Sequence, residues 1–149
     1  MGFFSGIKDM NKKVEAAVIV QNLLEIQVNA GTFSSDPQNF ATRLVNMAWD
    51  KKPDLFNGGF GQRPFKLAVA ASAFSNGVTQ FNDDPSIKVA LVISLGNIFL
   101  ELQTNRRLYP LNSLDDQLLE DALVVFKENM KKMSETPLAE GFRSLLQEP

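Results

Sequence analysis

The chain has 149 residues, enough for one domain with a single core, and its 44% apolar and 21% charged fractions are those of an ordinary globular protein. Its formal net charge of −2 gives no electrostatic reason to expect a nucleic acid partner. It contains no cysteine and no histidine, which excludes disulfides, zinc–thiolate sites, imidazole bases and Cys or His nucleophiles. We therefore expect a non-catalytic protein without a metal or a cofactor.

The first 13 residues, MGFFSGIKDMNKK, combine apolar and basic side chains. Four apolar side chains recur at helical spacing, whereas the lysines fall mostly elsewhere; this stripe consists of Phe3, Ile7, Met10 and Val14. We interpret residues 1–13 as an amphipathic arm that packs on its own domain, on a second copy of the chain or on another protein, with Phe3 and Phe4 as candidate partner contacts. The alternative is the anchor of a peripheral membrane protein.

Residues 1–30 begin with basic side chains and continue into an apolar stretch, as a secretory signal does. A signal has a central run of about 7–15 apolar residues. Here polar side chains interrupt the stretch, and its longest uninterrupted run is AAVIV. The stretch is therefore predicted to belong to a helix of the domain, and we expect a cytoplasmic location.

Helical periodicity dominates the chain, and alternating strand patterns are absent. A first helix is predicted to start near residue 5 or 11 and to end before Gly31, which suits a C-terminal cap. Its predicted buried stripe is Ala16, Ile19, Val20, Leu23, Ile26 and Ala30. A second helix is predicted after Asp36, which suits the N-cap, and Pro37 suits its first helical position.

The third predicted helix, FKLAVAASAFSNG, is rich in alanine, which permits close helix–helix approach. The fourth, DDPSIKVALVISLGNIFLELQTNRR, is apolar on almost every side, which is typical of the central helix of a domain. We expect its apolar part to be too short and too interrupted to span a bilayer. A fifth helix is predicted after Ser113 as its N-cap, and a short sixth helix after Thr136-Pro137.

These elements predict an all-α protein with one domain, residues 1–149, built as a compact bundle of five to six helices. The pairs Asp36-Pro37, Asp84-Pro85 and Thr136-Pro137 each begin a helix and stand 48 and 52 residues apart. This spacing leaves a second arrangement open, in which three helix–turn–helix pairs stack as in HEAT-like repeats.

The longest irregular stretch, PDLFNGGFGQRP, lies between the second and third predicted helices and lacks the Gly-Lys-Ser/Thr of a phosphate-binding loop. Loops of about a dozen residues are uncommon in compact domains and are often functional. This one contains Phe56, Phe60 and Arg63, and aromatic residues with arginine are frequent at protein–protein hot spots. The three are candidate partner contacts; the alternative is that the phenylalanines pack back onto the core.

Two further groups of charged residues are candidates for a site. Arg106 and Arg107 end the fourth helix, where positive charge is favoured by the helix dipole, and they are also candidate anion-binding residues. Asp116 and Glu120 are four residues apart on the fifth helix and share one face. Neither group forms a recognisable catalytic or metal-binding constellation.

The leading hypothesis is therefore a non-catalytic helical protein-interaction or regulatory module of the cytoplasm, with a protein partner or a second copy of the chain. The first alternative is a peripheral membrane protein that uses the N-terminal arm. The second is a small ligand-binding bundle, or an enzyme that uses carboxylates and arginines.

Overall fold

The computed structural model describes residues 2–52, 62–109, 111, 113–132, 141–142 and 145, and within residues 2–10 it describes the backbone only. These residues form five α-helices and no strand, which confirms the all-α bundle. In chain order the helices are α1 (Gly2–Asn29), α2 (Pro37–Lys51), α3 (Arg63–Gln80), α4 (Pro85–Thr104) and α5 (Ser113–Lys132). Of the predicted sixth helix only residues 141, 142 and 145 are described.

The predicted aspartate cap of α2 is confirmed, and α4 begins with a cap of the same kind. The Asp36 carboxylate accepts a hydrogen bond of 3.1 Å from the backbone N–H of Gln38. The Asp84 carboxylate accepts one of 3.3 Å from the N–H of Ile87, and in both helices a proline follows the cap. Each aspartate thereby satisfies one of the N–H groups that a helix start leaves without a partner.

Helix α1 ends as predicted, but its buried stripe differs from the predicted one. Gly31 has φ +80°, the left-handed conformation that terminates a helix. Ile26 is exposed, because it lies at the edge of the stripe, and Ala30 is exposed because it follows the last helical residue. Leu24 and Gln27 are buried in their place, and the Gln27 side chain accepts a hydrogen bond from the Thr32 hydroxyl.

The centre of the bundle is α3 and not α4. Helix α4 does contribute to the core, and its Val92 and Leu95 are fully buried. However, α3 contacts all four other helices, and 12 of its 18 residues are buried against 8 of 20 in α4. The physical reason is side-chain size, since small residues such as Ala68, Ala71 and Gly77 let neighbouring helices approach α3 from several sides.

Helix α4 is long and apolar enough to cross a membrane by length and composition, in contrast to the expectation from the sequence. Buried core helices meet the same criterion. Leu91, Leu95 and Ile98 of α4 are fully buried in the bundle, so the packing accounts for its apolar character.

The last part of the core joins α4, α5 and the segment around residue 142. Helix α5 begins at Ser113, one residue earlier than predicted, since Ser113 was expected to be the N-cap that precedes the helix. The Phe126 ring on α5 lies 5.8 Å from that of Phe99 and 5.6 Å from that of Phe142, between ring centroids. Phe142 also covers Gly96, where no side chain separates the ring from α4. Two of the described residues of the predicted sixth helix, Phe142 and Leu145, thus pack on the core.

Candidate functional site

The structure describes only some of the residues that the sequence suggests for binding. Phe56 and Phe60 lie outside the described residues. Phe3 and Phe4 belong to the first part of α1, residues 2–10, for which only the backbone is described. Arg106 and Arg107 are exposed in the turn after α4.

Arg63, the first residue of α3, binds Glu101 near the end of α4. Its Nε lies 2.5 Å and its Nη2 2.7 Å from the two carboxylate oxygens, the bidentate geometry that suits a guanidinium. The Tyr109 hydroxyl donates a third hydrogen bond, of 3.0 Å, to the same carboxylate. The Arg63 guanidinium is therefore engaged within the protein, where it ties the beginning of α3 to the end of α4 and to the turn that follows.

This cluster changes the acidity of its members. The hydrogen bonds from Arg63 lower the pKa of the Glu101 carboxyl, although partial burial opposes them. The same hydrogen bonds raise the pKa of Arg63, and the bond to Glu101 raises the pKa of Tyr109. All three groups therefore keep the ionisation states that hold the cluster together at neutral pH.

We expect Glu101→Gln to lower the free energy of unfolding at neutral pH by less than ~1 kcal/mol, because the ion pair is partly exposed. Since folding lowers the pKa of Glu101, its carboxylate contributes stability above the ordinary glutamate pKa of about 4.3 and loses it as the pH falls through the folded-state value. In urea titrations from about pH 7 to about pH 3, the stability difference between the two proteins should shrink. A constant difference would contradict this account.

A groove of about 430 Å³ lies between the end of α4 and the beginning of α5. Its floor is apolar and is formed by Phe99 and Leu102 from α4 and by Leu119 and Leu123 from α5. Phe99 and Leu119 are buried, while Leu102 and Leu123 are half-buried. The exposed part of the floor thus continues the core to the surface; we call this site the α4–α5 groove.

The connection between the two helices adds further apolar surface to this end of the protein. Leu111, which lines the α4–α5 groove, is 37% exposed, and Leu108 in the preceding turn is 75% exposed. Single exposed leucines are common, but Leu111 adds to the apolar lining of the groove itself. An apolar groove open to solvent is typical of a surface that binds another molecule.

Charged side chains border the α4–α5 groove. Asp116 and Glu120 stand one turn apart on α5 and are both exposed, as the sequence suggested. Arg106 lines the opposite border, at the end of α4. The described residues include no group of three or more acidic side chains that could hold a metal ion. An apolar floor with an acidic border on α5 is suited to an amphipathic segment that carries positive charge.

Sequence reasoning identified Arg106, Asp116 and Glu120 but not the groove that lies between them. Its apolar lining is divided among the fourth helix, the fifth helix and the connection LYPLN, so no single stretch of the sequence indicates it. A comparison of the chain with protein-family models, curated proteins and solved structures finds no match.

Proposed function

We propose that this protein is a non-catalytic helical interaction module of the cytoplasm that assembles with a second copy of itself. In this proposal the α4–α5 groove of one copy receives the N-terminal segment, residues 2–13, of the other. The observation that carries it is the apolar floor of the groove with Asp116 and Glu120 along its border on α5. An amphipathic helix in an apolar groove is a recurrent mode of protein recognition.

The N-terminal segment matches the groove in length and charge. Met10 stands seven positions after Phe3, which is about 10 Å along a helix, and the same length separates Asp116 from Leu123 along α5. Lys8 lies on a different side of the segment from the apolar stripe, about 130° around the helix from the centre of that stripe, and its long side chain can reach from there towards the acidic border of the groove. Opposite charges across such a border favour one orientation of the bound segment.

The course of α1 makes this segment available for such a contact. The Nζ of Lys13 lies 4.7 Å from the centroid of the Trp49 ring, close to the end of α2, so the part of α1 before Lys13 continues past that end. Val14 and Val18 are 57% and 51% exposed and lie on one stripe of α1. Helical spacing assigns Phe3, Ile7 and Met10 to the same stripe. In the described part of α1 this stripe faces away from the core.

Charge reversal with rescue tests the proposal. We expect the natural protein to associate with rising concentration in analytical ultracentrifugation. Asp116→Lys with Glu120→Lys should weaken that association by roughly tenfold, and so should Lys8→Glu in a separate protein, because each variant places like charges across the groove. An equimolar mixture of the two variants should associate again, since each segment then meets a groove of opposite charge.

A matched control changes the same net charge elsewhere. Asp50→Lys with Asp83→Lys alters two exposed aspartates that do not line the groove, and association should be unaffected. A natural protein that stays monomeric, or a variant mixture that fails to associate, would refute the proposal. Binding of residues 1–13 to phosphatidylserine vesicles without self-association would favour the membrane alternative instead.

A further inference from the structure

The N-terminal segment and the α4–α5 groove lie at the same end of the bundle. The Nζ of Lys13 contacts the Trp49 ring near the end of α2, and the segment continues α1 for about 16 Å beyond that point. The end of α2 also meets α5, since Lys52 binds Asp121 at 3.1 Å. Asp121 is the neighbour of Glu120, which borders the groove. The segment and the groove therefore both adjoin the end of α2.

The segment of one chain does not reach the groove of the same chain. Around the central α3 the helices follow the order α2, α1, α4 and α5, because α1 packs on α2 and α4, and α4 packs on α5. Helix α4 therefore stands between α1 and the groove, which α4 forms with α5. Since α1 is one unbroken helix from Gly2 to Asn29, the segment extends along the helix axis and does not cross α4. The groove of a second copy is the acceptor that this arrangement leaves.

The shared end of the bundle carries both charges that the contact needs. Asp116 and Glu120 form the acidic border of the groove, and Lys12 and Lys13 stand at the root of the segment. A two-fold interface requires both halves of a contact on one surface, because each copy then donates to the other what it receives from it. Two copies that face each other with this end can therefore exchange their segments.

Mutual exchange is favoured over a growing chain of copies. Once one segment is bound, the second segment and the second groove belong to the same complex. The second contact then forms at an effective concentration of roughly millimolar, far above that of free copies in a dilute solution. A head-to-tail chain would be the expected product only if the segment and the groove lay at opposite ends of the bundle.

We propose that the protein forms a closed dimer with two-fold symmetry, in which each copy donates its N-terminal segment to the α4–α5 groove of the other. This inference rests on the self-assembly proposed above and specifies its partner as one second copy, bound through two equivalent contacts. Both grooves are filled in such a dimer, so assembly stops at two copies. An open chain would keep one groove free for a further copy.

Sedimentation equilibrium of the natural chain over a wide concentration range tests the closure. One chain has a mass of 16.5 kDa, and we expect the average mass to rise to twice this value and to remain there. A mass that continues to rise with concentration would overturn the closed dimer but leave the contact between segment and groove intact. A natural chain that stays monomeric would refute both proposals.

Because the chain contains no cysteine, a covalent experiment can count the two contacts. A chain with Lys8→Cys and Glu120→Cys carries one thiol on the segment and one on the groove border. Neutral thiols create no like-charge repulsion, so association should persist. A short bis-maleimide should convert this chain into a covalent dimer that holds two linkers, as measured by mass spectrometry.

The control places the second thiol at the other end of the bundle. Asp83 is exposed in the turn between α3 and α4, so a chain with Lys8→Cys and Asp83→Cys should not yield the dimer with two linkers. For the chain with thiols at positions 8 and 120, a ladder of larger covalent products would indicate an open chain and overturn the proposal. A dimer with one linker, or a monomer linked within itself, would overturn it as well.

Discussion

Replacing Phe126 with alanine should lower the free energy of unfolding by about 3–5 kcal/mol, the usual range for a buried phenylalanine. The side chain is fully buried, and its ring contacts those of Phe99 on α4 and Phe142 near the C-terminus. Alanine would leave a cavity bordered by both rings, and two aromatic contacts would be lost with it. For a domain of this size the melting temperature should fall by roughly 6–20 °C.

Calorimetry and urea unfolding would measure this loss, with Val124→Ala as the matched control. Val124 lies two residues away on α5 and is largely exposed, so its truncation should change stability by no more than about 0.5 kcal/mol. Similar stability losses in the two variants would show that Phe126 does not occupy the core of the bundle.

The caps and helix ends were predictable because they depend on residues close together in the chain. Asp36 and Asp84 each cap a helix through a backbone N–H two or three residues further on, and Gly31 ends α1 through its own backbone angle. Such features need no tertiary information. For the same reason the sequence predicts an all-α protein, since helical periodicity is a local property of each segment.

The position of α3 at the centre was not predictable from hydrophobicity. The leucines and isoleucines of α4 make it more apolar than α3, whose alanines and serines suggested only close packing. What decides the centre is how many helices can approach one helix, and that number rises as its side chains become smaller. A hydropathy pattern indicates which residues are buried. It does not indicate which helix lies at the centre of the bundle.

The α4–α5 groove depends on how helices pack. Its lining residues lie on α4, on α5 and in the connection between them, and no periodicity in either helix specifies how these elements are placed relative to one another. Only the packing of the bundle brings Phe99 and Leu119 to one groove.

Replacing Gly77 with alanine should destabilise the protein by about 1–3 kcal/mol, the opposite of the usual effect in a helix. In an exposed helix interior this change is favourable by about 1 kcal/mol. At Gly77 a Cβ atom would lie 2.6 Å from Cδ2 of Leu44 and 3.0 Å from Cδ1 of Leu91. Both leucines are fully buried, so neither can turn its side chain towards solvent to make room.

A double-mutant cycle in urea identifies this contact as the cause. Leu44→Ala alone should cost about 2–5 kcal/mol, and combined with Gly77→Ala it should cost clearly less than the sum of the two changes, since the new methyl group then fills part of the vacated space. Gly141→Ala is the control, because a Cβ atom there meets no atom of the residues that the structure describes within 4 Å. Additive losses at positions 44 and 77 would mean that the two residues do not meet, and the close packing of α2 on α3 would have to be abandoned.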